Sequence, residues 1–312
     1  MFIKFFKDIS KKDVAEAGGK GASLGEMTSA GIPVPPGFVV LASAFNRFLE
    51  ETDLTQEVQA ILNKINYKDI NAVDGASVKI RDLILKAAMP KDLQQGIVID
   101  FKKLKAPFVA VRSSATAEDS SSASWAGELE TYLNTTEKTL LLNVKKCWSS
   151  LFTPRAIFYR HEKKLLKTKV SVAVVVQVMV DSEISGIAFT VHPVTQDKNQ
   201  MIIEAGYGLG EAIVSGSITP DSYVLDKRDY SLLDVNIAKQ ERQIKKGASG
   251  GVKWVPVVKS AQETQKLNGR QIVELAKICS GIEKHYQFPC DIEWAQKQGK
   301  FYITQSRPIT TL

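Results

Sequence analysis

The chain has 312 residues, 44% of them hydrophobic and 24% charged, and a formal net charge of +7. That balance fits a globular protein of one large or two ordinary domains and excludes a low-complexity or disordered chain. The lysines are scattered in pairs such as Lys11–Lys12, Lys163–Lys164 and Lys245–Lys246. The charge therefore reads as a basic solvated surface that would favour a polyphosphate, not as a nucleic-acid groove.

The opening MFIKFFKDISKKD is broken by lysines before an apolar core can develop, so no signal peptide is expected there. Residues 1–42 read as a short extended segment, a glycine-rich turn, one helix and an extended return. GGKGASLGEMTSAG opens on glycines and closes at Gly31, a natural helix C-cap. Backbone N–H groups at such a helix start, with Lys20 beside them, attract phosphate. The GxxxxGK[ST] spacing is missing, and GGKG alone reads equally as an ordinary tight turn. IPVPPG is extended, because successive prolines exclude helix. FVVL resumes as a strand, and Ser43 is placed to cap a helix carrying Phe45, Phe48 and Leu49.

Residues 54–105 read as helical packing. Ile80, Leu83, Ile84 and Ala87 mark one buried face, and Leu93, Ile97, Phe101 and Leu104 mark another after Pro90. FVAVRSS is then a strand ending near Arg112, followed by the loop ATAEDSSSASWAG, the segment ETYLNT and one long helix to about Lys167. A strand-end arginine before a Ser-rich loop suits an anion that is gripped and then covered; the other reading is a plain surface loop. VSVAVVVQVMV (170–180) is half the length of a membrane span and rich in β-branched residues, which makes it a buried strand. No membrane segment is expected.

ISGIAFTV and NQMIIEA read as further strands. GYGLGE matches the dinucleotide fingerprint only loosely, and ITPDSYVLD does not supply that unit's second strand, so a dinucleotide site is not expected. A poorly patterned connector (227–262) leads to a helix over 263–285 and a closing hairpin. Cys147, Cys279 and Cys290 form no CxxC pair, which suits three structural thiols in a reducing, cytoplasmic setting.

The hairpin DIEWAQKQGKFYITQSRP puts polar groups at alternate positions. With a five-residue loop Gln296–Lys300, Asp291 would oppose Gln305 and Glu293 would oppose Ile303, with Arg307 on the same face. Carboxylates at i and i+2 lie roughly 7 Å apart and repel by about 2 kcal/mol in a partly shielded site. Arg307, or a magnesium ion with oxygen ligands from Glu293 and Gln305, would offset this. The alternative is a solvated outer face.

GGKGASLGEM, VPPGFVV, RSSATAEDSSSASWAGELETYLN, GIAFTVHPVT, IIEAGYGLGEAIVSGSITPDSYVL and DIEWA…FYITQSRP occur in this order. Together they resemble the ATP-binding, ATP-grasp-type domain of phosphoenolpyruvate synthase, pyruvate phosphate dikinase and the related rifampicin phosphotransferases, over about residues 5–310. The resemblance implies an α+β, two-lobed ATP-grasp-like fold with a nucleotide cleft, an N-terminal lobe at 1–180 and a C-terminal lobe at 181–312. It implies ATP and Mg²⁺ as ligands. Lys20 would hold the phosphates and Arg112 would reach them from the opposite lobe; the loop around Ser124–Gly127, with Thr131, would cover them. Gln177 with the backbone of Val178 and Met179 would meet adenine. Glu293 and Gln305 would bind magnesium with support from Asp291, and Arg307 would neutralise the transferring phosphates.

The family pattern in the covering loop is Phe-Ala-Gly-Gln, whereas this chain has Trp125–Ala126–Gly127–Glu128. The full enzymes pass phosphate through a histidine of a swivelling domain, within a Thr-Ser-His segment, toward a pyruvate domain. His161, His192 and His285 lack that context and read as structural or exposed. The resemblance thus implies the phosphoryl-donor part of a dikinase, with the phosphohistidine and pyruvate/PEP domains elsewhere. A rifampicin-type phosphotransferase and a non-catalytic ATP sensor are the alternatives.

Overall fold

The computed structural model describes residues 2–116, 130–163, 165 and 171–309. Its contacts divide the chain into two units, Met1–Glu26 with Pro36–Met179, and Met27–Pro35 with Val180–Leu312.

The first unit contains β1 (Ile3–Phe5), most of α1 (Val14–Ser29), β2 (Gly37–Val40), α2 (Ala42–Glu51), α3 (Leu54–Asn63), α4 (Ile70–Lys86) and α5 (Lys91–Lys103). β3 (Val109–Ala115), β4 (Thr131–Thr135), α6 (Glu137–Ser149), α7 (Pro154–Glu162) and β5 (Val172–Val178) complete it. The strands form one antiparallel sheet in the order β1-β2-β5-β3-β4. Strand periodicity gives this sheet two chemically different faces. Phe38, Val40, Val109, Val111, Val174 and Val176 are fully buried in a core shared with α2, α4 and α6. Trp148 of α6 lies 5.6 and 5.0 Å from the rings of Phe45 and Phe48. The opposite face carries Arg112, Ser114, Val175, Gln177 and Val39, as the register requires.

The expected single helix after ETYLNT is two helices. Thr153 accepts from Ala156 N at 3.1 Å and Pro154 takes the first helical position, where its missing N–H costs nothing. The glycine-rich segment also differs. Helix begins at Val14, before the glycines, and is broken at Gly18 (φ 69°, ψ 172°). Leu41, not Ser43, occupies the cap position of α2.

The second unit contains β6 (Ile184–Phe189), β7 (Gln200–Tyr207), α8 (Glu211–Val214), β8 (Asp221–Asp226) and β9 (Leu232–Asn236). It continues with β10 (Arg242–Lys246), β11 (Val252–Pro256), α9 (Gly269–Tyr286), β12 (Cys290–Lys297) and β13 (Lys300–Pro308). The main sheet runs β13-β12-β6-β7-β8-β9, and β10 and β11 form a separate ribbon. The connector thus holds three strands; its pattern is weak because β9 is exposed along its whole length. α9 starts at a reciprocal capping box between Asn268 and Gln271, later than residue 263.

The polyproline segment is extended, and Pro33 O accepts from Ile303 N at 2.9 Å. The three cysteines are free and buried, and burial pushes the Cys290 thiol up to about 12. Among the described residues no helix is long and apolar enough to cross a membrane.

Candidate functional site

In the first unit the sheet face opposite the core carries Arg112 and Gln177, two of the residues expected to meet a nucleotide. Arg112 lies on β3, 8% exposed, directly opposite Thr131 at the start of β4. Gln177 lies on β5, opposite Gly37 and Ala110, and is 2% exposed. Its Nε2 is buried without a hydrogen-bond partner among the described residues. A buried amide left in that state costs about 1–3 kcal/mol, so it suits a ring nitrogen acceptor such as adenine offers. The N–H groups of Val178 and Met179 are already engaged, donating to Pro36 O at 2.8 Å and Phe108 O at 3.1 Å. Contact between this backbone and adenine would therefore come through carbonyls.

Lys20 is half-buried, stands just beyond the Gly18 break of α1, and belongs to the same unit as Arg112 instead of an opposite lobe. Gly18 is held against Ser114 of β3: a Cβ there would lie 2.2 Å from Ser114 Oγ and 2.4 Å from its carbonyl oxygen. Only glycine fits, both for that contact and for the positive φ. Gly127 and the rest of the expected covering loop, Ser124–Glu128, lie outside the described residues.

In the second unit the closing hairpin brings four of the expected residues onto one sheet face. The register is Asp291 opposite Arg307 and Glu293 opposite Gln305, not Asp291 opposite Gln305 and Glu293 opposite Ile303. The difference arises at two points. Strands β12 and β13 close with the two-residue turn Gln298–Gly299, both at positive φ, in place of a five-residue loop. A bulge between Glu293 and Trp294 then adds a residue on the β13 side. The displacement is even, so the polar face is preserved.

Arg307 donates to Asp291 Oδ2 from Nε at 2.8 Å, and its Nη2 lies 2.7 Å from the same oxygen. Burial holds the Asp291 carboxyl above its usual range, Arg307 opposes this, and Glu293 adds to it. Glu293 and Gln305 offer only oxygen toward a cation. Among the described residues no group of three His, Cys, Asp or Glu could hold a metal ion by itself. Such a sparse oxygen set fits magnesium, which takes one or two carboxylates and completes its shell with water and ligand phosphates.

Reasoning from the sequence missed Glu204. Glu293 pairs with Ile187 and Ile187 with Glu204, so this carboxylate sits on the same face two strands away. The signal was a single acid inside the apolar strand MIIEA. Its carboxyl is raised, first by burial and then by Asp291. Below the ordinary glutamate value, about 4.3, the folded and unfolded forms are both protonated. As pH rises through the raised folded value, the folded protein holds a proton that the unfolded chain has released, so this contribution to stability is lost. Glu204→Gln is expected to exceed the parent in urea midpoint at pH 7 and to match it near pH 4. Equal midpoints at pH 7 would contradict the burial argument.

The segment GYGLGE packs as structure. Gly208 O accepts from Ser182 Oγ at 2.8 Å and Ser185 Oγ at 2.7 Å, and Leu209 N donates to Ile244 O at 2.9 Å. His192 Nδ1 accepts from Val194 N and Thr195 N, closing a turn. His161 stacks on Tyr67 at 4.0 Å, and His285 lies in the last turn of α9.

Residues 14–312 match the family of the pyruvate phosphate dikinase AMP/ATP-binding domain. The chain belongs to that family. Its fold is accordingly ATP-grasp-like, in agreement with the mixed α+β architecture. A probable phosphoenolpyruvate synthase of Methanocaldococcus jannaschii is 48% identical over the whole chain, which covers 27% of that relative. The phosphoenolpyruvate synthase of Pyrococcus furiosus is 41% identical, with all of this chain and 44% of that protein covered. A rifampicin phosphotransferase of Bacillus subtilis is 38% identical over 98% of this chain and 35% of its own length. The chain therefore spans less than half of each of these relatives, which carry sequence beyond the matched region.

Proposed function

We propose that this chain is the magnesium-dependent ATP-binding, phosphoryl-donor part of a phosphoenolpyruvate synthase-like dikinase. The observation that carries the reading is the pairing of Asp291 with Arg307 and of Glu293 with Gln305 on one sheet face. That arrangement supplies two oxygen ligands, a carboxylate behind them and a guanidinium. The orphaned Gln177 amide supports adenine binding in the other unit.

In this reading both units, Met1–Glu26 with Pro36–Met179 and Met27–Pro35 with Val180–Leu312, contribute nucleotide-binding groups, and the expected boundary at 180/181 gives way to this discontinuous division. Lys20 and Arg112 bind phosphate oxygens, Thr131 and Gly127 belong to the cover, and Gln177 with Val178 and Met179 holds the base. Glu293 and Gln305 would hold magnesium, which when bound neutralises charge on the phosphate oxygens. Arg307 adds positive charge there, and Asp291 orients Arg307 through their ion pair. Transfer breaks a bridging oxygen–phosphorus bond, whose oxygen keeps the electron pair and departs with the shortened nucleotide, as a nitrogen–phosphorus bond forms to a neutral histidine of a separate domain. The work of this chain is positioning and charge neutralisation. Phosphate would then pass toward pyruvate in the cytoplasm.

The 38% identity to a rifampicin phosphotransferase supports a second reading, in which the donor part is the same and the final acceptor is an antibiotic. Incubating the chain with labelled ATP, magnesium and a histidine-bearing domain from a longer relative tests the common step. Acid-labile label on that domain is expected. ATP binding with no label transferred would instead mark a nucleotide sensor.

A further inference from the structure

We infer that Ser114 is a positioning residue: its hydroxyl sets the glycine break that presents Lys20, and so sets affinity for the triphosphate. This rests on the reading that Lys20 binds phosphate. In an unbroken helix the N–H of residue 21 would donate to the carbonyl of residue 17. Here the Ser114 hydroxyl stands in that bond, accepting from Gly21 N at 3.2 Å and donating to Ala17 O at 2.9 Å. A side chain inserted into the helix ladder is a recognised cause of a sharp kink.

The insertion comes from outside the helix, from a strand more than ninety residues away in sequence. It depends on Gly18, whose missing Cβ leaves room for the Ser114 hydroxyl and carbonyl. Ser114 is fully buried and lies two residues from Arg112, on the same face of β3. One hydroxyl therefore ties the turn bearing Lys20 to the strand bearing Arg112. With the oxygen gone, Gly21 N and Ala17 O can bond directly, the helix straightens, and Lys20 turns away from its phosphate.

The test is calorimetric titration of the intact chain with MgATP and, separately, with adenosine. Ser114→Ala is expected to weaken MgATP about tenfold and leave adenosine unchanged. In a Lys20→Ala background it is expected to add almost nothing, because the group it positions is gone. Ser114→Cys, which keeps a weak donor and acceptor, is expected to fall between Ser and Ala. If the Ala variant does not fold, Ser114→Cys decides, with weakened MgATP and unchanged adenosine expected. Equal losses for adenosine and MgATP, or a Ser114 effect undiminished without Lys20, would overturn the inference. Unchanged MgATP affinity in Lys20→Ala itself would instead remove the reading beneath it.

Discussion

Glu293→Ala is expected to lower phosphoryl transfer from MgATP to a supplied histidine domain by roughly a thousandfold, the scale of losing one preorganised charge-stabilising group. Of the two carboxylates on the hairpin face, Asp291 is already occupied by Arg307. Removing Glu293 leaves the Gln305 amide as the remaining proposed magnesium ligand on the hairpin. The fold should persist, because the hairpin is held from its other face by fully buried Ile292, Trp294 and Ile303. Affinity for ATP measured without magnesium should change little, while the gain from adding magnesium should disappear. A transfer rate within about threefold of the parent across a magnesium titration would remove Glu293 from the site.

The largest effect on stability is expected at Lys266. Its ammonium and the Asp221 carboxylate form a 2.7 Å ion pair with both side chains fully shielded from solvent. Every polar atom in the cluster is satisfied. Asp221 also accepts from Tyr223 OH at 2.8 Å, Ala238 N at 3.0 Å and Lys266 N at 2.9 Å, and Lys266 Nζ donates to Ala238 O at 2.6 Å. The network fastens the link between β9 and β10 and the approach to α9 onto β8. Lys266→Met fills a similar volume but leaves a buried carboxylate without its counter-charge. The expected loss is about 3–5 kcal/mol. Adding Asp221→Asn, which keeps an acceptor oxygen while removing the charge, should recover part of it. Amide exchange of β7 and β8 under native conditions reads the effect locally, which avoids assuming that the two units unfold together. A change below about 0.5 kcal/mol would mean the pair contributes nothing beyond packing.

Much of this was legible because strand periodicity survives errors of register. The two-residue repeat put Asp291, Glu293, Gln305 and Arg307 on one face, and an even displacement left them there. The pairing itself was not legible, since turn length and a bulge set it, and QKQG does not announce a two-residue turn as Asn-Gly would. Family membership was readable from six weak motifs in a fixed order. The break in α1 was not, because its cause lies on a distant strand: Gly18 signals freedom, and Ser114 decides how that freedom is used. The Asp221–Lys266 pair was hidden for the same reason, with its members 45 positions apart in sequence. Thr153–Pro154, by contrast, carried a local cap-and-stop signal that a continuous helical reading overrode.

The central proposal is that Lys20 and Glu293 each contribute to binding of MgATP. Calorimetric titration of MgATP against Lys20→Ala and Glu293→Ala tests it most directly. The account predicts that each variant binds at least about tenfold more weakly, the scale of a charge-assisted contact of 1.5–3 kcal/mol. Parental affinity in both would contradict it.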